Sequence, residues 1–172
     1  MRDYQNLVFS TAYRLLADRA EAEDISQEVF LKAYAHFNDL RHSTTAGGWL
    51  KTVARNLCLS HLTRRRSRWT LFSEFEPDDR DPAEPFAASL SEPESVSQAL
   101  EASDRRELLA AELEKLPASQ RAALVLYHFH DRSYEEIAAD LKVSLAKVKV
   151  DIHRARQRLR RHLEGRRESL LD

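Results

Sequence analysis

The residues best suited to bind a ligand form a cluster of cations near the C-terminus. Seven Lys or Arg side chains and one Asp lie between Lys147 and Arg161, although the whole chain has a formal net charge of -1. Cations at this density attract a polyanion such as nucleic acid. Apolar residues recur here at three- and four-residue steps from Leu145 to Leu163, which predicts an amphipathic helix with the cations outside. A charged face that is merely solvated is the alternative.

The residues before this helix predict a helix-turn-helix. Ser133 and Glu136 have the spacing of a capping box, which begins a short helix over 134–140. A tight turn follows, and Ser144 is placed to cap the basic helix. In a helix-turn-helix the second helix enters the DNA major groove. Lys142 stands at the turn position where Gly is usual, and a left-handed conformation there costs about 1–2 kcal/mol.

Other chemistry has little support in the sequence. Glycine occurs only at 47, 48 and 165, so no phosphate-binding loop is present. His128 and His130 are two positions apart on a helix and point about 200° apart, so they do not converge on a metal ion. No Ser-His-acid or Cys-His grouping stands out, and the single cysteine, Cys58, is predicted to be a small core residue. We therefore expect no enzymatic activity, no cofactor and no metal site.

The elements that position these residues are predicted to be helices throughout. Glycine and proline are scarce, and Ala, Leu, Glu and Arg are abundant, which favours an all-α fold. Apolar stripes predict helices in the N-terminal block, interrupted by a loop with the sequence NDLRHSTTAGG at 38–48. The N-terminus lacks the apolar stretch of a signal peptide and no run is long enough to span a membrane, so we expect no membrane insertion and a cytoplasmic location.

Charge divides the chain into three parts. Residues 1–66 carry +3, residues 67–104 carry -8 and residues 105–172 carry +4. The acidic middle part also holds four of the five prolines, which predicts a largely irregular linker between two small helical domains. Its aromatic residues suggest that it docks on a partner, and its acidic charge suggests that it imitates a polyanion; a solubilising spacer is the alternative.

Three motifs in a fixed order carry a family resemblance. They are AEAEDISQEVFLKAY at 20–34, WLKTVARNLCLSHLTRRRSR at 49–68, and LEKLPASQRAALVLYHFHDRSYEEIAADLKVSLAKVKVDIHRARQRL at 113–159. Together they resemble the extracytoplasmic-function (ECF) sigma factors, small initiation subunits of bacterial RNA polymerase in the sigma-70 family. The resemblance implies sigma region 2 at 1–66 and sigma region 4 at 105–172. It also implies that the acidic linker threads through the active-site and RNA-exit path of the polymerase.

The resemblance assigns roles to individual residues. The implied polymerase-binding residues are Asp24, Gln27, Glu28 and Leu31. The implied contacts with the minus-ten promoter element are Leu40, Arg41, Arg55, Asn56, His61, Arg64 and Arg65. The implied contacts with the minus-thirty-five element are Ser144, Lys147, Lys149, Val150, His153, Arg154, Arg156 and Arg158.

Two departures from the family pattern bear on DNA recognition. Leu40 stands where the family often has an aromatic residue, so stacking on a flipped base would be weaker. Val150 and Asp151 replace a common Ser-Arg pair. Val150 can contact a thymine methyl group, whereas Asp151 is unfavourable near DNA unless it orients an arginine or accepts from a cytosine amine.

The implied partners are core RNA polymerase, promoter DNA and an anti-sigma factor. On the polymerase they are the clamp coiled coil of the largest subunit and the flap of the second-largest subunit. The alternative function is a stand-alone helix-turn-helix regulator, which would bind promoter duplex well without polymerase.

Overall fold

The computed structural model describes the backbone of residues 2–72 and 102–169 and the side chains of residues 4–65 and 108–164. These parts of the chain contain eight α-helices and no strand, so the predicted all-α fold is confirmed. The helices are α1 Arg2–Leu16, α2 Arg19–Ala35, α3 Phe37–Leu40, α4 Ala46–Phe72, α5 Ala102–Glu114, α6 Ala118–His130, α7 Tyr134–Leu141 and α8 Leu145–Ser169. The greater part of the acidic linker, residues 73–101, lies outside the described residues.

The N-terminal helices α1, α2 and α4 pack around a shared core. Val8, Ala12 and Leu15 of α1 are fully buried, as are Val29 of α2 and Ala54 of α4. The apolar spacing noted in the sequence therefore faces inward on all three helices. Burial of this apolar surface is the main favourable term that holds the three helices together.

Cys58 belongs to the same core, as its apolar surroundings in the sequence predict. Its side chain has no exposed surface. Burial raises the pKa of its thiol to about 12. A thiol in this state packs as a small apolar group and is not a nucleophile.

The C-terminal helices form a second bundle, in which α8 packs on α6 and α7. Ile137 of α7 and Val148, Ile152 and Ala155 of α8 are almost completely buried. This buried stripe fixes the rotation of α8 about its own axis. It therefore decides which of the basic side chains face outward.

The predicted loop at 38–48 is wrong at both of its ends. Residues Phe37–Leu40 form the short helix α3, and α4 begins at Ala46, so both glycines are helical. A Cβ added to Gly47 would lie 3.1 Å from Cε1 of Tyr4 on α1. Gly47 thus permits close packing of two helices and does not mark a turn. Helix α8 also continues beyond the predicted end at Leu163 to Ser169.

The two bundles contact each other, which the sequence did not predict. Helix α1 packs on α6, and α4 packs on α7. Buried residues of both bundles form one continuous apolar cluster, which includes Leu15 and Ala54 from the first and Leu126 and Ile137 from the second.

Candidate nucleic-acid interface

The turn of the helix-turn-helix has the local structure that its sequence predicts. Ser133 Oγ accepts from the Glu136 backbone N–H at 3.2 Å, and Glu136 Oε2 accepts from the Ser133 backbone N–H at 2.9 Å, which completes the capping box. Lys142 adopts the left-handed conformation with φ 54°. Its backbone N–H donates to the carbonyls at the end of α7. Ser144 Oγ accepts from the Lys147 backbone N–H at 3.2 Å and so caps α8.

This geometry directs one face of α8 away from the protein. Lys149, Val150 and His153 are exposed. Val150 is 43% exposed, which is unusual for a valine beside a buried stripe. An apolar side chain between polar and cationic ones in this position suits the base edges of a major groove, including a thymine methyl group.

Some of the cations predicted on this surface are held by neighbouring side chains. Lys147 Nζ lies 3.2 Å from an oxygen of Asp151, and Asp151 is only 5% exposed. Asp151 therefore faces inward and is not placed to accept from a base. Arg156 lies over the ring of Tyr127, 5.3 Å from its centroid, and within 3.3 Å of His128 Nε2. Both cations thus lie at the flanks of the exposed face of α8.

The remaining predicted residues divide by exposure. Arg154 and Arg158 are half-buried, and Ser144 is exposed with its hydroxyl engaged in the cap. Arg160 and Arg161, two of the cations predicted on the outside of this helix, are exposed further along α8, as is Gln157, which sequence reasoning did not single out. The signal was available, because Gln157 lies seven positions after Val150 and so shares its face.

On α4, Asn56 lies on an exposed polar face. Thr52, Asn56 and Ser60 are four positions apart and all exposed, and sequence reasoning did not single out Thr52 and Ser60. Arg55 donates to Asn56 Oδ1 from Nε at 3.3 Å and from Nη2 at 3.1 Å. This contact orients the amide with its NH2 group outward, and Oδ1 retains capacity for a second donor.

Two of the other predicted minus-ten residues on α4, His61 and Arg65, do not share this face. His61 Nε2 lies 3.1 Å and Arg65 Nη1 3.5 Å from Glu21 Oε1 on α2. Because His61 is five residues after Asn56, it points about 140° away around the helix. Arg64 is exposed and donates to the Ser60 carbonyl at 3.1 Å.

Leu40 and Arg41 lie at the end of α3. Leu40 is half-buried against the core, and Arg41 is exposed in the turn that leads to α4. Of the two, only the Arg41 side chain extends into solvent. The structure thus distributes the predicted minus-ten residues over several faces of the N-terminal bundle.

Helix α2 presents a separate exposed face. Asp24, Gln27, Glu28 and Leu31 are exposed there, opposite the buried Ile25 and Val29. Leu31 is 72% exposed. An apolar side chain this open, within an acidic and amide-bearing surround, is typical of an anchor for a protein partner.

Two aromatic residues extend the apolar part of this face. Tyr34 is 74% exposed and Phe37 is exposed as well. They follow Leu31 at three-residue steps, so the spacing was visible in the sequence, but their exposure could not be inferred from it. The surface formed by Leu31, Tyr34 and Phe37, together with Asp24, Gln27 and Glu28, is called the α2 face below.

Comparison with known protein families decides the identity of the chain. A model described as Sigma-70 region 2 matches residues 1–68, and a model described as Sigma-70, region 4 matches residues 106–159. The chain is an ECF sigma factor of the sigma-70 family. Sigma factors of this family direct RNA polymerase to begin transcription, and the family is one of initiation factors and not of enzymes.

Curated relatives of this sigma factor come from several bacteria. The ECF RNA polymerase sigma factor SigE of Mycolicibacterium smegmatis is 37% identical over 95% of this chain, and the chain spans 60% of that protein's length. The ECF RNA polymerase sigma factor SigW of Bacillus subtilis is 29% identical, with 93% of this chain and 84% of the relative covered. The RNA polymerase sigma-H factor of Pseudomonas aeruginosa is 30% identical, with 94% and 82% covered.

A solved structure also matches this sigma factor. It is the sigma factor RpoE in complex with the anti-sigma factor NepR from Bartonella quintana. Sequence identity is 26%, the match covers 95% of this chain and 93% of that chain, and the TM-score is 0.49.

The described parts of this sigma factor lack two features that would indicate another kind of protein. Residues 2–72 and 102–169 include no helix long and apolar enough to cross a bilayer. Among the side chains that the structure describes, no three His, Cys, Asp or Glu residues are grouped as metal ligands would be. His128 contacts Arg156, while the pKa of His130 is lowered by burial and by nearby cations, so the two histidines have separate surroundings.

Proposed function

We propose that this sigma factor binds core RNA polymerase through the α2 face and holds promoter DNA with α4 and α8. The exposed face of α8 carries this proposal. The helix-turn-helix turn and the buried stripe of Val148 and Ile152 together direct Lys149, Val150 and His153 outward. These side chains would read the minus-thirty-five element in the major groove, while cations further along α8 contact phosphates and fix orientation.

At the minus-ten element the chain would capture a melted strand. Asn56 would hydrogen-bond the edge of a flipped base through its outward NH2 group, with Arg55 holding the amide in place. Arg41 and Arg64 would contact backbone phosphates of the same strand. Binding free energy from these contacts offsets the cost of unpairing and unstacking a few base pairs, which is a few kcal/mol per step. This subunit then needs no nucleotide hydrolysis to melt the promoter.

The α2 face would bind the clamp coiled coil of the largest polymerase subunit. Leu31 and Tyr34 supply apolar anchors, and the surrounding carboxylates and amide suit a basic partner. The C-terminal bundle would contact the flap of the second-largest subunit. An anti-sigma factor that covers the α2 face would prevent polymerase binding. Such a function places the chain in the cytoplasm.

Run-off transcription with core polymerase tests the DNA contacts. Asn56→Ala should slow promoter opening while leaving binding of the closed duplex nearly unchanged. Lys149→Ala should weaken duplex binding about 5- to 150-fold, the range for a lost base contact of about 1–3 kcal/mol. Arg19→Ala is the matched control, because Arg19 is an exposed cation of α2 that pairs with Glu23 outside both DNA-binding faces.

Two results would contradict the proposal. If Asn56→Ala and Lys149→Ala initiate as well as the control, the residue assignments are wrong. If the purified chain binds promoter duplex tightly without polymerase and core polymerase adds nothing, the function is that of a stand-alone regulator.

A further inference from the structure

Arg156 is held by two side chains of α6 at the edge of the DNA-binding face of α8. Its guanidinium lies 5.3 Å from the centroid of the Tyr127 ring, and its Nη2 lies 3.3 Å from Nε2 of His128. Arg156 follows Lys149 by seven positions, so the two cations lie on the same side of α8, about 10 Å apart along its axis. The packing of α6 on α8 therefore sets the position of a cation that is expected to meet DNA.

Aromatic rings on two helices fix this position. The Tyr127 ring packs edge-on against the His128 ring, with centroids 5.0 Å apart, and Tyr134 at the start of α7 lies 5.1 Å from Tyr127. A cation above an aromatic face is attracted by the ring quadrupole. An arginine that is ordered in advance loses less conformational freedom when it binds a ligand. Tyr127 thus holds the guanidinium of Arg156 in place before DNA arrives.

The contact between Arg156 and His128 requires a neutral imidazole. A guanidinium only donates hydrogen bonds, so Nε2 of His128 must accept and the ring proton must be on Nδ1. Burial, and then the charge of Arg156, lower the pKa of His128, which favours this neutral form. Of the other helices packed on α6, α7 presents Tyr134 to the neighbouring ring, and Arg14 of α1 lies over Phe129 instead. Among the described side chains, the charge that faces this imidazole is therefore that of Arg156.

This pair of side chains lacks an anion. Lys147, on the same helix, is paired with Asp151, whereas the side chains of residues 4–65 and 108–164 include no carboxylate that pairs with Arg156. The guanidinium of Arg156 and the exposed imidazole of His128 lie side by side. A phosphate group, whose oxygens only accept, fits between two donors of this kind.

Binding of a phosphate at this place takes up a proton. Nε2 of His128 can donate to a phosphate oxygen only after it gains a proton from the solvent. The hydrogen bond from Arg156 then passes from Nε2 to the phosphate, whose negative charge stabilises both cations. Affinity for DNA should therefore increase as the pH falls, by at most about tenfold per pH unit for one proton.

We propose that Arg156 and His128 form a proton-coupled clamp on one DNA phosphate beside the minus-thirty-five element, and that Tyr127 is the positioning residue for Arg156. The inference rests on the proposed function, because it deepens the contact of α8 with the upstream duplex. It extends the DNA-binding surface from α8 to α6. The clamp contacts no base, so it contributes affinity and orientation but no sequence preference.

Nuclear magnetic resonance on the full chain without polymerase tests the contact itself. The imidazole signals of His128, identified by their loss in His128→Gln, are followed as the pH is changed. In Arg156→Gln the pKa of His128 should rise toward its ordinary value near 6.5, because the facing cation is gone. A pKa of His128 that is the same with and without Arg156 would overturn the clamp.

Binding of promoter duplex to the holoenzyme tests the uptake of a proton. Affinity is measured by fluorescence anisotropy at pH 8.0 and pH 6.0, with closed complexes formed in the cold. The polymerase and His153 also titrate in this range, so the ratio of the two affinities is compared between variants. The ratio should be about three- to tenfold smaller in His128→Gln than in the wild type. The exposed His42→Gln is the control and should keep the wild-type ratio.

Neutral phosphates locate the clamp on the DNA. Methylphosphonate is placed at one upstream position at a time. At one position it should abolish the difference in ratio between the wild type and His128→Gln. If the difference survives at every upstream position, the bound group is not a DNA phosphate of this element, and the proposal is overturned.

Two variants of Tyr127 separate positioning from general packing. Tyr127→Phe keeps the ring below Arg156 and should bind as the wild type does. Tyr127→Leu removes the ring and should weaken duplex binding by about two- to fivefold at both pH values, the range for an exposed cation–aromatic contact. Equal binding by these two variants would overturn the positioning role of Tyr127.

The two sets of measurements separate this inference from the proposed function. A holoenzyme that does not bind promoter duplex at either pH would refute the proposed function, whatever the titration of the free chain shows. A holoenzyme that binds promoter duplex, with the same ratio of affinities in His128→Gln as in the wild type, would refute the clamp alone.

Discussion

His130 should make the stability of this sigma factor depend on pH. It lies at the end of α6, and its pKa is lowered from an ordinary value near 6.5 to about 4. Burial is the larger cause. Four nearby cations add to the effect, and they are Lys51, Arg55, Arg14 and Arg132. Three of these belong to the N-terminal bundle, so the effect reports the contact between bundles as well as local burial. The folded protein therefore holds His130 neutral at pH values where the unfolded chain would protonate it.

The sign follows from this difference. Between about pH 6.5 and pH 4 the unfolded state binds more protons than the folded state, so stability rises with pH in this window. The stability that depends on a neutral His130 is fully present above about pH 6.5 and is lost as the pH decreases toward 4. At pH 5.5, one pH unit below the ordinary value, the loss is about 1 kcal/mol after allowance for partial exposure. For a chain of this length that loss lowers Tm by about 2–4 °C.

Thermal unfolding at pH 7.5 and pH 5.5 tests this reasoning. In His130→Gln the difference in Tm between the two pH values should be smaller than in the wild type by about 2–4 °C. The exposed His42→Gln is the control and should retain the wild-type difference. Burial and Arg156 also lower the pKa of His128, so part of the dependence should survive in the variant. A His130→Gln variant with the full wild-type difference would refute the role of this histidine.

Two further predictions concern the backbone and the thiol. Lys142→Gly should raise the free energy of unfolding by about 1 kcal/mol. The glycine relieves the left-handed conformation of Lys142, which costs about 1–2 kcal/mol, but the unfolded chain gains conformational entropy that offsets about 0.5–1 kcal/mol of this. Urea denaturation measures the change, and a loss of stability would contradict the prediction. Cys58 should react with a disulfide reagent at pH 8 only after denaturation, because its thiol is fully buried and has a pKa of about 12. Rapid labelling of the native protein would contradict this burial.

Local patterns predicted much of the fold. The capping box at Ser133 and Glu136, the left-handed Lys142 and the cap at Ser144 depend on neighbours within four residues, and each is present as predicted. The buried stripe of α8 follows from helical periodicity alone. Gly47 shows where such reasoning ends, since its role depends on Tyr4, which is distant in sequence.

The candidate site was predictable in position but not in detail. Periodicity places Asn56 and Lys149 on exposed faces, as the structure has them. It cannot show that Asp151 turns inward to Lys147, or that Arg156 lies over Tyr127, because those contacts depend on how neighbouring helices pack. The docking of Arg121 on α1 joins residues more than one hundred positions apart and has no local signal.

The position of Glu21 has a consequence for how binding responds to ionic strength. His61 and Arg65 already face this carboxylate, so a DNA phosphate that approaches them replaces one anion with another. Such an exchange displaces fewer condensed counterions than a cation without an acidic neighbour would. Promoter melting by the N-terminal bundle should therefore be less sensitive to added salt than the number of arginines in that bundle suggests. Glu21→Gln should make melting more sensitive to salt.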